Sequence, residues 1–215
     1  MGHSMIYELR TYDFKPGTLP EVEKRFGEDY DKKRKKHSEL AAIWRTHIGP
    51  LNQLVHIWPY HDLEERERVR AAAYKDGWPP RIAEFRLGMR SDIMVPFPNA
   101  PALKPGRMGP YFEMCTCTYV PGELPAIMEL WEAALPARLK LGPLCGVWYT
   151  DIGELNTFVH IWPFQSFSQR DEIRAKAGAA GLWPPSVKSD NDGGGYKLLA
   201  RKNTILIPAS FSPLQ

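Results

Sequence analysis

The sequence is poor in cysteine, with only Cys115, Cys117 and Cys145 among 215 residues. Three thiols, odd in number and without a framework spacing, exclude a disulfide-stabilised secreted fold and point to a reducing compartment, the cytoplasm. Cys115 and Cys117, two apart on one strand face, read as small buried residues rather than a ligand pair. Long apolar runs are missing as well. Nothing approaches the roughly 18 residues of a membrane helix, and no signal-peptide stretch opens the chain, so no membrane partner is expected. Charge of one sign is scarce: 28 Lys+Arg stand against 25 Asp+Glu, a net of +3. That falls short of the concentrated basic footprint of a nucleic-acid binder, so no nucleic-acid partner is expected. The excess gathers in Lys32, Lys33, Arg34, Lys35 and Lys36, at the end of a predicted helix, where a solvated basic turn favoured by the helix dipole is expected. No phosphate loop, no Gly-x-Ser-x-Gly elbow and no metalloprotease motif is present, and no metal or cofactor is expected.

What the chain does have is an internal repeat. Phe14 to Pro20 recurs as Tyr119 to Pro125, so that Pro121 follows Pro16 by 105 residues. Leu51-Asn52 through Val55-His56-Ile57-Trp58-Pro59-Tyr60 recurs as Leu155-Asn156 through Val159-His160-Ile161-Trp162-Pro163-Phe164, at a shift of 104. Trp78-Pro79-Pro80 returns as Trp183-Pro184-Pro185, again at 105. Near the end the shift grows to 112, and Ser189 to Gly195 is the insertion that accounts for it. That segment reads either as a lid or as an ordinary surface loop. Three separated motifs at nearly one offset define a duplication. The first unit spans 5–97, a proline-rich linker spans 98–110, and the second unit spans 111–212.

Each unit reads β, α, β, β, α, β. Alternation predicts first strands over Ile6 to Tyr12 and Tyr111 to Tyr119. Leu19, Val22, Phe26 and Tyr30 make an apolar helical stripe, matched by Leu124, Ile127, Trp131 and Leu135. Thr18-x-x-Glu21 predicts a capping box, and Pro136 predicts a kink or early stop in the second copy's helix. Strand pairs are expected over Ile43 to Ile48 with Leu54 to Trp58, and over Val147 to Ile152 with Phe158 to Trp162. The second helices open on Asp62-x-x-Glu65 and Ser166-x-x-Gln169, capping boxes at one repeat position. Ile93 to Val95 and Ile205 to Ile207 supply last strands. A sheet with both helices on one face leaves the other face bare, and the second unit is its natural cover. The expected fold is α+β: two tandem ferredoxin-like repeats forming one barrel of the dimeric type.

Placing the more apolar stripe of each strand against the helices sends the other stripe into the barrel. The interior would then hold Glu8, Arg10, Tyr12, Arg45, His47, His56 and Trp58, facing Glu113, Cys115, Cys117, Tyr149, Asp151, His160 and Trp162. Charges cannot stay buried unpaired. They either bind a ligand, with arginine on an anionic group and tryptophan on an apolar part, or satisfy one another, as Arg10 would with Glu8 or Glu113. His56 and His160 at equivalent positions could also approach across the pseudo-twofold axis and ligate metal or haem, although two histidines alone make a weak ligand set.

The repeated Val-His-Ile-Trp-Pro-aromatic strand end resembles the NIPSNAP family. So do Tyr7-Glu8-Leu9-Arg10-Thr11-Tyr12 leading to Pro16-Gly17, the helix Leu63-Glu64-Glu65-Arg66, Trp78-Pro79 and the tail Phe211-Ser212-Pro213-Leu214. The resemblance spans nearly the whole chain and implies the dimeric α+β barrel superfamily, whose members include cofactor-free monooxygenases, haem-degrading enzymes and stress proteins. It carries over no residue roles, and fold analogy does not assign an activity. Cys115 and Cys117 stand where the first copy has Arg10 and Tyr12, so the expected site is asymmetric and weighted to the first copy. Three readings follow: a barrel protein binding a small apolar-anionic metabolite in its interior, a cofactor-free monooxygenase-like enzyme, or a non-catalytic protein-interaction module. An exposed sheet edge leaves a homodimer open.

Overall fold

The computed structural model describes residues 5–182 and 198–215; Ser189 to Gly195 lies outside them. The first unit runs β1 (Ile6–Phe14), α1 (Leu19–Asp29), β2 (Ala42–Ile48), β3 (Gln53–Tyr60), α2 (Leu63–Lys75) and β4 (Arg86–Pro96). The second runs β5 (Tyr111–Tyr119), α3 (Leu124–Leu139), β6 (Gly146–Ile152), β7 (Thr157–Phe164), α4 (Phe167–Ala179) and β8 (Leu198–Pro208). Each element falls where the repeat places it.

The strands close one antiparallel barrel in the order β1-β3-β2-β8-β5-β7-β6-β4. Within each unit the first strand lies between the third and the last. Closure comes from two pairings between units, β2 with β8 through Trp44↔Pro208 to Ile48↔Ile205, and β4 with β6 through Ile93↔Ile152 to Pro96↔Trp148. Neither half can make those bonds alone, so duplication within one chain supplies what two chains supply in a dimeric barrel. The turn from β2 to β3 uses Gly49 at φ 113 and Asn52 at φ 60, and its counterpart uses Gly153 at φ 130 and Asn156 at φ 54. These are left-handed positions that glycine and asparagine adopt most easily.

Local signals succeed where their geometry is realised. Asp62 accepts from the Glu65 amide at 2.7 Å and Ser166 from the Gln169 amide at 3.1 Å. The return bonds fall one residue earlier than in the standard box, with Glu65 and Gln169 accepting from the amides of His61 and Gln165. The predicted box at Thr18 does not form: its hydroxyl donates backwards to the Lys15 carbonyl at 2.7 Å, closing a turn instead. Pro136 does not stop α3 either, which continues to Leu139. β4 and β8 are much longer than their apolar cores predict, because Arg86 to Arg90 and Leu198 to Lys202 extend along β1 and β5 without an apolar alternation to announce them.

The core has three parts. One cluster draws on both units and fills the barrel: Tyr7 and Leu9 of β1, Trp44, Val55, Ile57, Phe112, Trp148, Val159, Ile161 and Leu206. Tyr7 meets Trp148 at 5.5 Å between ring centroids, and Trp44 meets Phe112 at 5.6 Å. Linker residues Leu103 and Met108 and the tail residue Leu214 pack against this cluster. The other two clusters lie between sheet and helices, one per unit, and contain Tyr12, Trp58, Val22 and Phe26 in the first and Cys117, Trp162, Ile127 and Trp131 in the second.

Candidate functional site between the sheet and the helices of the first unit

The predicted facing of the strands is therefore inverted. Glu8, Arg10, Tyr12, His56 and Trp58 do not enter the barrel, nor do Glu113, Cys115, Cys117, His160 and Trp162; they lie on the outer face, under the helices. The stripe Tyr7, Leu9, Val55 and Ile57 fills the interior instead. A closed interior shut away from water has no partners for charged groups, whereas the outer face is covered by α2 and α4, whose arginines reach down to the sheet. No ligand chamber inside the barrel remains to be argued from these residues.

His56 and His160 sit beneath the helices of their own units, packed on Phe26 and on Trp131 respectively, so they do not converge across the pseudo-twofold axis. The described residues hold no group of three or more His, Cys, Asp or Glu placed to bind a metal. Arg45 is half exposed and reaches Glu23 of α1 at 3.5 Å. His47 and Asp151 are exposed, while Tyr149 packs on Phe97. These four predicted residues lie outside the cavity described below.

Two arrangements are built twice. In the first, a fully buried glutamate on the first strand is held by two arginines one turn apart on the second helix. Glu8 accepts from Arg66 at 2.7 Å and Arg70 at 3.2 Å, with Ser91 adding a bond at 2.7 Å. Glu113 accepts from Arg170, from Arg174 at 2.9 Å and from Asn203 at 2.6 Å. In the second arrangement the Trp58 indole N–H donates to Nδ1 of His56, and Trp162 does the same to His160, both at 2.6 Å. A buried guanidinium lies over each indole, Arg34 over Trp58 at 4.7 Å and Arg138 over Trp162 at 3.9 Å.

Arg34 corrects the reading of the basic run. Lys32, Lys33, Lys35 and Lys36 are exposed or half-buried, but Arg34 between them is 3% exposed. What turns it inward is a π-helical turn, Tyr30–Arg34, that follows α1. Tyr30 and Leu135 are equivalent at a shift of 105, whereas Arg34 and Arg138 are equivalent at 104. The first unit thus carries one extra residue between them, and a π-turn is how a helix absorbs one residue without losing its register on either side. The change of shift between the repeated motifs was the sequence signal for it.

The units part company beside this shared frame. In the first, Arg10 donates to Glu8 at 2.6 Å and to the Tyr12 hydroxyl at 2.8 Å; in the second the corresponding places hold Cys115 and Cys117, both buried, with thiol pKa values raised by that burial. The first unit has a cavity of about 260 Å³ here, lined by Glu8, Arg10, Tyr12, Arg34, His56, Trp58, Tyr60, Arg70, Tyr74, Trp78, Pro79, Arg86 and Met89. Its volume is just under the range of about 300–1,000 Å³ common for small-molecule sites.

The polar groups of this cavity are one carboxylate, Glu8, set among arginines, tyrosines and His56. Burial pushes the Glu8 carboxyl up, but the Arg66 and Ser91 hydrogen bonds and the charges of Arg10 and Arg70 outweigh it and hold the group at about 2. Glu8 is ionised and engaged. Burial, reinforced by Arg10, holds His56 well below the usual histidine range, so the ring is neutral. With Nδ1 accepting from Trp58, the proton sits on Nε2. Nε2 is buried and has no hydrogen-bond partner among the described residues. Arg34 donates to the Tyr60 hydroxyl at 2.7 Å and the Val69 carbonyl at 3.3 Å, and among the described residues no carboxylate pairs with it. Burial draws its pKa down. The cavity offers hydrogen-bond donors and positive charge, backed by aromatic faces.

An eight-stranded α+β barrel made from two ferredoxin-like repeats, with a donor-lined cavity on one outer face, defines the class of protein. The family follows from comparison: the NIPSNAP family model matches residues 7–101 and 112–213, and the chain belongs to that family. Human Protein NipSnap homolog 3A is 32% identical over 222 residues, covering 98% of this chain and 86% of the relative. Among solved structures, a putative monooxygenase from Lactobacillus acidophilus superposes with a TM-score of 0.66 at 8% identity, over 96% of this chain and 95% of that one. An anthrone oxidase-like protein superposes with a TM-score of 0.61 at 11% identity, over 98% and 94%. At such identities the two structures establish the barrel alone. Among the described residues no helix is long and apolar enough to cross a membrane.

Proposed function

We propose that the chain binds a small anionic metabolite with an apolar, planar body in the cavity between the sheet and the helices of its first unit. The observation that carries this reading is a pair of buried donors beside the cavity: Nε2 of His56, which has no partner among the described residues, and the guanidinium of Arg34, which donates to the Tyr60 hydroxyl and the Val69 carbonyl but meets no carboxylate among them. A buried polar group left unsatisfied costs about 1–3 kcal/mol, more when charged, and an anion in the cavity relieves that cost. Trp58 and Trp78 offer faces for the apolar body. The reading keeps the ligand chemistry expected from the sequence and moves its place from the barrel interior to the outer face.

Of the two arginines expected to meet an anionic group, Arg10 is committed to Glu8 and Tyr12 and Arg45 reaches Glu23 of α1; Arg34 takes that part. His56 suits the role of donor and not of general base, because Nδ1 is occupied and the ring resists protonation. The test is native mass spectrometry of gently purified chain, alongside the same preparation of the double variant Arg34→Met, Tyr60→Phe. An added mass present in the first and missing from the second is expected. A bare chain that no small aromatic acid stabilises against heat would refute the reading.

A further inference from the structure

Around the cavity, the buried groups that could accept a proton are engaged, and the exposed Tyr74 supplies the other hydroxyl of the lining. Glu8 on β1 accepts at Oε1 from Arg10, Arg66, Arg70 and Ser91, and at Oε2 from Arg70 at 3.5 Å. His56 on β3 has given its one lone pair to the Trp58 N–H. The Tyr12 oxygen accepts from Arg10, and the Tyr60 oxygen from Arg34. What faces the cavity from the other elements is cationic: Arg34 on the π-turn, Arg70 on α2 and Arg86 on β4. Four arginines stand against one glutamate in the lining.

From this lining of four arginines and the His56 donor around one engaged glutamate we infer a class of ligand: an oxygen acid whose buried end is an acceptor without a proton, and in particular a phenol or enol that the cavity binds as its phenolate or enolate. This rests on the small-molecule reading above and sharpens it. The O–H bond breaks on binding, the electron pair stays on oxygen, and the proton leaves to bulk solvent, since the Glu8 carboxylate is held by three arginines and the lone pair of His56 is taken by Trp58. A neutral hydroxyl at that place finds no acceptor for its hydrogen at His56 or Arg34, while the anion accepts from both and has no hydrogen to place. Positive charge and hydrogen bonds that favour the charged form lower an acid's pKa by roughly 1–3 pH units in proteins. A carboxylate meets the same donors without a change of ionisation.

The probes are 4-nitrophenol, whose anion absorbs in the visible, and 4-nitrobenzoate, added to the full chain. Titrating bound 4-nitrophenol should show the phenolate band appearing roughly 1–3 pH units below its position for the free phenol. The Arg34→Met, Tyr60→Phe variant should lose the displacement, and Arg34→Lys should keep part of it because the charge remains. Binding of 4-nitrophenol with its pKa unmoved or raised overturns the inference and leaves the small-molecule reading standing. Binding of 4-nitrobenzoate alone overturns the phenol class and narrows the ligand to carboxylates. Failure of both probes to bind or to raise the melting temperature removes the inference and the reading beneath it together.

Discussion

Replacing Arg34 by methionine and Tyr60 by phenylalanine together separates a side chain kept for binding from one kept for folding. Arg34 is 3% exposed, and its partners are a hydroxyl, a backbone carbonyl and the Trp58 ring. Removing it forfeits a cation–π contact worth about 0.5–2 kcal/mol and two hydrogen bonds of roughly 1.5–3 kcal/mol each for a charged donor. Against this stands a desolvation cost of several kcal/mol for a buried ion, which methionine, of similar reach and apolar, does not incur. Changing Tyr60 in the same step avoids orphaning its oxygen. The opposing effects are of one size, so the stability of the free protein should move by no more than about 1 kcal/mol in either direction. Affinity for an anion should fall by about 10- to 100-fold, the equivalent of one lost charged hydrogen bond. Urea unfolding gives the first quantity and titration calorimetry with 4-nitrobenzoate the second. A loss of 3 kcal/mol or more in stability, with anion affinity intact, would show that Arg34 serves the fold and would refute the reasoning.

Glu8 makes stability depend on pH in a known direction. Its pKa falls from 4.5 to about 2 on folding, so its contribution is complete above the unfolded value and is lost as pH drops through that interval, amounting to about 3 kcal/mol. Urea midpoints at pH 7 and pH 2.5 should therefore differ less in Glu8→Gln than in the parent; an unchanged difference would contradict the assignment. Asp62→Ala and Ser166→Ala should each cost about 1 kcal/mol of helix capping, readable as a lowered melting temperature, while Thr18→Ala should cost less because Thr18 caps nothing. Trp44→Ala and Trp148→Ala, which empty the barrel interior, should each cost about 3–5 kcal/mol by chemical denaturation. Cys115, Cys117 and Cys145 are buried with raised pKa values and should react with a thiol reagent only after denaturation.

The duplication made the architecture legible, since each unit corroborates the other's elements and a half-covered sheet demands its twin. The facing of the strands was harder to read, because on β1 and β3 both stripes contain large aromatics: Tyr7 on one, Tyr12 and Trp58 on the other. The decisive signal lay in a different element. α2 buries only Val69 and Ala73, and α4 only Ile173 and Ala177. Helices with so little apolar surface cannot cover an apolar stripe, whereas Arg66 with Arg70 and Arg170 with Arg174, each four apart, share a face and need a carboxylate beneath them. Glu8 and Glu113 are the glutamates they meet. Arg34 was hidden for another reason: within Lys32 to Lys36 a buried cation cannot be told from solvated ones by composition, and only the one-residue change in repeat shift marks the π-turn that buries it.

Comparison of the two units also divides structural from functional parts without any other sequence. The glutamate under two arginines, and the tryptophan between a histidine and a guanidinium, recur in both. Both features seat helices on a sheet in each unit, and in the first unit Arg34 and His56 also line the cavity. Among the described residues, what the first unit has and the second lacks is the π-turn, Arg10 and Tyr12. At those two strand positions the second unit places buried cysteines, which fill space and carry no charge. Arg10 shifts the Glu8 carboxylate's environment and, with Tyr12, forms a wall of the cavity. Placing Cys at positions 10 and 12 would therefore give the first unit the second unit's strand chemistry. Such a double variant should fold, because Cys115 and Cys117 show the frame accepts those residues, and it should bind 4-nitrobenzoate at least tenfold more weakly. Retained affinity would mean that the asymmetry between the units has no bearing on the ligand.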